Sequence, residues 1–193
     1  YSTMSQRKDK EFEKKIKSLL VVFLMAVPLV TYMLNFIIEM FMEQYKPAIK
    51  VTALLFVSQI FLCLNTAIFV NLYKVYRQQK EYFKRLCISI SAAVLLDGMI
   101  ALIKPSITYY SFSTLISCMI WLGLNLKYFP YLCPSRTESC YVCALLGVYA
   151  VAFDLPYVVK IAVYMVVYVV LTWKLMPREW EYCKRQVMDL IRR

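Results

Sequence analysis

Histidine is missing from all 193 residues. That single absence removes Ser-His-Asp and Cys-His catalysis, histidine-held metals and the common pH switch. Glycine is scarce as well, with only 3 present beside 7 Pro, and no Gly-rich phosphate loop occurs. Asp97-Gly98-x-x-Ala101 begins like the alcohol phosphotransferase signature, but Leu102 stands where that signature needs Arg, and no acid pair follows. Charged residues make up 18% of the chain, against roughly 25% in a soluble domain. No Asn-x-Ser/Thr sequon marks a glycosylated loop. These gaps lead us to expect no enzyme activity, no metal and no cofactor.

What fills the chain instead is apolar: 61% of residues are hydrophobic. Crossing the hydrocarbon core of about 30 Å takes about 20 apolar residues. Ser18 to Ile38, Val51 to Tyr73 and Pro105 to Leu126 meet that length without a charge, and Leu86 to Ile103 comes close, interrupted by Asp97. Ser139 to Trp173 is too long for one simple crossing and short for two, with Asp154, Pro156 and Lys160 near its middle. A proline there removes a backbone donor and breaks a helix. The stretch reads as a hairpin over 139–153 and 155–173, either spanning or re-entrant. The fold expected is all-α: a polytopic helical membrane protein of six segments, or four plus a re-entrant hairpin. It divides into a basic N-terminus (1–17), a transmembrane helical domain (18–173) and a basic amphipathic surface helix (174–193).

Orientation follows from Lys and Arg near the segment ends. Summed over alternate connections, 19 lie on one face and four on the other. The majority face, which carries both termini, is expected to be cytoplasmic, with residues 39–50 opposite. The net charge of +11 hugs the membrane ends rather than one soluble domain. Anionic lipid headgroups are therefore the expected partner, at about 1 kcal/mol per basic residue near the surface, and nucleic acid is not. The first apolar run exceeds a signal peptide's core and lacks a small-residue cleavage site, so it is expected to remain as an anchor.

Asp97 and Lys160 are the ionisable groups well inside apolar segments, a costly placement that is often functional. Counted from the same membrane face they lie at similar depth, so we expect an intramembrane pair, with a snorkelling Lys160 as the alternative. Cys133, Cys140 and Cys143 cluster before the hairpin. Three thiolates without a fourth ligand make a poor zinc site. Cysteines beside a membrane are candidate acylation sites, and plain packing between helices is the commoner use of a small apolar residue. Asn35, Ser58, Gln59, Asn65, Thr66 and Asn71 can join helices by hydrogen bonds. Tyr109, Tyr110, Tyr128, Tyr131 and Trp173 read as interfacial anchors. In the tail, Trp180, Cys183, Val187, Leu190 and Ile191 share an arc of about 100° at 100° per residue. Arg178, Arg185, Arg192 and Arg193 point the other way. Such a helix suits the headgroup plane, or else packs on its own protein or a partner.

Three stretches resemble the transmembrane protein 33 family, which includes yeast pore-membrane proteins of the endoplasmic reticulum and nuclear envelope. They are Leu95-Leu96-Asp97; the run Pro105 to Leu126, with Phe112-Ser113-Thr114-Leu115-Ile116; and Tyr182-Cys183-Lys184 followed by Asp189-Leu190. The family's His at the end of the second stretch is absent here. The resemblance implies a non-enzymatic protein of the endoplasmic reticulum or nuclear envelope that affects membrane shape, binds other membrane proteins and uses its tail on curved bilayers. The alternative is a small channel or transporter subunit with Asp97 and Lys160 in its pathway. The lack of internal repeats counts against a transporter.

Overall fold

The computed structural model describes the backbone of residues 2–103 and 105–191, and the side chains of 10–103, 105–182, 184 and 185. Within them the protein is helical: α1 (Ser2–Leu24), α2 (Val27–Phe41), α3 (Ile49–Leu64), α4 (Asn71–Val75), α5 (Gln79–Ile103), α6 (Ile107–Tyr128), α7 (Arg136–Val151), α8 (Tyr157–Leu175) and α9 (Pro177–Ile191). Six stretches are long and apolar enough to cross a membrane: Lys10–Phe41, Glu43–Val75, Gln79–Ile103, Ile107–Tyr128, Arg136–Asp154 and Tyr157–Leu175. This is a polytopic helical membrane protein of six candidate spans.

The ambiguous stretch 139–173 thus forms two separate helices. α7 ends in a 3₁₀ turn, Ala152–Asp154, and Pro156 sits immediately before α8. There its missing N–H belongs to the set a helix start leaves unbonded anyway. Pro28 acts differently from a plain break. α1 and α2 form one apolar run bent at Met25 and Ala26, where Ala26 N–H bonds to Phe23 O (3.1 Å) and Leu29 N–H to Ala26 O (3.0 Å). Both bonds reach back three residues instead of four.

A π-helical turn, Asn65–Val70, joins α3 to α4. α4 then stops at a left-handed residue, Arg77 (φ 55°), a position where glycine is usual. Gln78 N–H closes the end on Tyr73 O at 2.8 Å, and Arg77 N–H bonds to Lys74 O.

The chain divides into two compact units, one of residues 1–32 and 134–193 and the other of 33–133, the boundary falling within α2. In the first, α7 and α8 pack on each other, and α9 meets both α8 and α1. Its core holds Val21, Val22, Met25, Tyr32, Tyr141, Leu145, Tyr149 and Tyr164. In the second, α6 packs against both α3 and α5. Ser111, Ser113, Ser117, Trp121 and Asn125 form its buried seam. Small side chains on that seam let the helix backbones approach closely.

Candidate functional site

The first unit is joined by tyrosines. Two short-reaching N–H groups at the Pro28 bend take the usual partners from Val22 O and Met25 O. Both carbonyls are answered by α8: Tyr164 Oη donates to Met25 O (2.7 Å) and Tyr168 Oη to Val22 O (3.1 Å). The donors stand four residues apart on one helix face, as do the bent carbonyls' positions to within a residue. An unsatisfied carbonyl in hydrocarbon costs several kcal/mol, so the two hydroxyls make the bend tolerable. Tyr32 Oη donates to Tyr149 O (2.9 Å), and Tyr141 Oη lies 2.9 Å from Thr172 Oγ1. The rings of Tyr32, Tyr149 and Tyr164 pack together at centroid distances of 5.0 to 6.4 Å.

Lys160 belongs to the same face of α8 and is 4% exposed. Its Nζ donates to Phe153 O (3.3 Å) and lies 3.6 Å from the centre of the Tyr157 ring, with the Tyr32 and Phe153 rings within 6 Å. Cation–π contacts of this kind gain strength when desolvated. Asp97 lies in the second unit, on α5, and its Oδ1 is buried without a hydrogen-bond partner. The two residues expected to pair belong to different units; Lys160 finds partners within its own unit, whereas Asp97 Oδ1 finds none.

The second unit is joined by amides. Tyr73 Oη donates to Asn125 Oδ1 (3.0 Å), Asn125 Nδ2 donates to Asn65 Oδ1 (2.8 Å), and Asn65 Nδ2 donates to Phe61 O (3.0 Å) and Cys118 O (3.4 Å). Asn65 opens the π turn, a feature frequent where side chains need re-aiming. Of the polar residues expected to join helices, Asn65 does so. Ser58, Thr66 and Asn71 instead bond back to carbonyls four residues earlier on their own helices. Asn35 is fully buried with neither amide atom partnered. At one end of the unit Arg85 lies 3.9 Å over the Tyr128 ring and pairs with Glu81 at 2.7 Å, while Tyr128 Oη donates to Gln78. Tyr128, expected as an interfacial anchor, packs in an aromatic cluster with Tyr73 and Phe129. Trp173 is exposed.

The three cysteines Cys133, Cys140 and Cys143 are all exposed free thiols. Cys133 belongs to the second unit, Cys140 and Cys143 to the first. Among the described residues no three His, Cys, Asp or Glu side chains gather into a metal-binding group.

The tail is helical through Ile191. A groove of about 760 Å³ between α1 and α9 is lined by Lys14, Lys15 and Phe12 on one side and by Arg178, Glu181, Tyr182 and Arg185 on the other. Lys15 Nζ stands 5.0 Å from the Tyr182 ring centre. Residues 178, 181, 182 and 185 share one face of α9, so α1 takes the polar side of the helix. The helix register puts Trp180 and positions 183, 187, 190 and 191 on the opposite side. Trp180 is half-buried. The side chains of Cys183, Val187, Leu190 and Ile191, the whole of Arg192 and Arg193, and Lys104 lie outside the described residues.

Sequence reasoning missed a buried ion pair. Lys17 Nζ lies 2.7 Å from Glu138 Oε2, with the two side chains 8% and 6% exposed. Its signal was present in Ser135-Arg-Thr-Glu138, a capping-box spacing. Ser135 Oγ accepts from Glu138 N–H (3.2 Å), but the carboxylate turns to Lys17 rather than back to the cap. The Lys160-Tyr164-Tyr168-Thr172 ladder, every fourth residue of α8, was likewise readable.

No family model matches the chain, and neither a curated protein nor a solved structure is found similar to it.

Proposed function

We propose that this protein is a non-catalytic membrane scaffold or complex subunit of the endoplasmic reticulum or nuclear envelope, with both termini in the cytosol. The observation that carries this reading is α9. Its Arg178, Glu181, Tyr182 and Arg185 face lines the groove shared with α1, and the helical register sets the apolar positions of the sequence on the other side, the pattern of a helix that lies in the headgroup layer. α5 adds support for partner proteins. Almost none of its apolar length is buried, and Phe83, Ile90, Val94, Leu95, Met99, Leu102 and Ile103 are exposed. Asp97 on the same helix has a carboxylate oxygen out of water with no donor, a costly placement of the kind that marks functional positions in membrane helices. The resemblance to the transmembrane protein 33 family points the same way.

Reconstituting the full chain into liposomes tests the reading. Wild-type protein should reduce vesicle diameter or draw tubules, and Trp180→Glu should suppress this while leaving the protein folded. Unchanged activity in Trp180→Glu would remove α9 from the account. The second reading, a small channel or transporter, keeps Asp97 as its one favourable observation. Ion flux through the same liposomes, lost in Asp97→Asn, would favour it over the scaffold. The enclosure of Lys160 by three rings and a carbonyl supports a structural role for that residue.

A further inference from the structure

A groove of about 580 Å³ opens at the α4–α5 turn of the second unit. Val70, Tyr73, Tyr82 and Phe83 give it apolar walls, Lys74 and Lys80 supply its charge, and no carboxylate lines it. The two lysines are six residues apart, which on one continuous helix would set them about 240° apart. They reach the same groove because α4 gives way to the left-handed Arg77 and α5 starts afresh at Gln79. Both lysines are exposed, and among the described residues neither enters an ion pair. Glu81, the nearest acid in the sequence, is held by Arg85 at 2.7 Å and does not neutralise them. Tyr73 gives its hydroxyl to Asn125, so it offers the groove a ring and no donor.

The level of the groove restricts what can fill it. Val70 and Tyr73 close the charge-free run that begins at Val51, and Phe83 stands three residues ahead of the run that begins at Leu86. Both helices pass from apolar to polar sequence here, which is the level of lipid headgroups. Phe83 is 65% exposed, a placement that suits the membrane interface better than water. A water-soluble anion would meet the lysines and leave the apolar walls uncovered. An anionic phospholipid complements both, with its phosphate between the two ammonium groups and its upper acyl carbons along Val70 and Phe83. Basic pockets between membrane helices hold anionic headgroups in this manner.

We propose that this groove binds one anionic phospholipid through Lys74 and Lys80. The inference needs only the membrane-spanning fold and stands apart from the scaffold reading. It differs from a diffuse attraction of the whole basic surface in assigning the lipid to two lysines out of many.

The test is native mass spectrometry of the full chain released from micelles holding equal amounts of phosphatidylglycerol and phosphatidylcholine with the same acyl chains. Wild-type protein should retain the glycerol lipid over the choline lipid, and Lys74→Gln and Lys80→Gln should each lower that preference about five-fold. Lys74→Arg combined with Lys80→Arg keeps both charges and should keep the preference. Lys84→Gln combined with Lys127→Gln removes two exposed lysines of the same unit that do not line the groove, and should leave the preference near its wild-type value. All four positions are exposed, so the lipid-free unfolding temperature should not move. Inorganic phosphate in large excess should not displace the lipid. Equal retention of the two lipids by wild type, survival of the preference in both single glutamine variants, or displacement by phosphate overturns the proposal. An equal loss in the Lys84 and Lys127 variant also overturns it, leaving a diffuse surface attraction without a site.

Discussion

Asn125 carries more of the second unit than its size suggests, because one carboxamide answers two other helical segments. Its oxygen accepts from Tyr73 and its nitrogen donates to Asn65, and all three side chains are essentially inaccessible. Asn125→Leu leaves a hydroxyl and an amide oxygen without these partners, at about 1–3 kcal/mol for each orphaned group. Tyr73→Phe removes the hydroxyl together with its need, and leaves only one lone pair of Asn125 unfilled. The unfolding temperature in detergent should therefore fall further for Asn125→Leu than for Tyr73→Phe. An equal or larger loss for Tyr73→Phe would mean that ring packing, not the amide chain, carries the contact. Asn65 was recognisable in the sequence as a polar residue in an apolar span. Asn125 was not, because it sits one residue from the end of its run, where an asparagine usually faces water.

At the scale of elements, the spans were legible because hydropathy and length alone decide which helices can enter a bilayer. The bend at Met25 and the partition into two units were not. Pro28 announces a break, yet what happens to the freed carbonyls depends on side chains more than a hundred residues away. Tyr164 and Tyr168 read as ordinary apolar-span aromatics until the bend is seen beside them. The Glu138 ion pair was hidden for the same reason, since its partner Lys17 looks like one more basic residue of a solvated N-terminus. The tyrosine latches give a double-mutant test. Tyr164→Phe leaves Met25 O without its donor and should cost about 1–3 kcal/mol. Pro28→Ala returns an N–H to α2 and lets the helix close its own ladder through the bend. In the Pro28→Ala background the loss from Tyr164→Phe should shrink. Losses that add within the usual 0.3–0.5 kcal/mol of independent sites would show that the hydroxyl does not serve the bend.

For the whole molecule, the proposed topology has all six candidate spans crossing, which would place both ends on one side, the one richer in Lys and Arg. The majority face collects the N-terminal basic run, the α4–α5 turn with Lys74, Arg77, Lys80, Lys84 and Arg85, and the tail. In the proposed topology that face is the cytosolic one, by the positive-inside rule. Tags at both termini should be cut by protease after selective permeabilisation of the plasma membrane, and a tag inserted between Glu43 and Lys46 should be protected. If one terminal tag were protected, one of the six helices would lie within a leaflet, and α7 would be the first suspect. At 1.5 Å per residue its 16 residues span about 24 Å, short of the hydrocarbon core of about 30 Å. The 3₁₀ turn after it, three residues at about 2 Å each, supplies the missing length. Crossing by α7 therefore depends on Ala152–Asp154 remaining helical, and inserting glycine after Val151 should be the change that first exposes a mixed orientation in the protease assay.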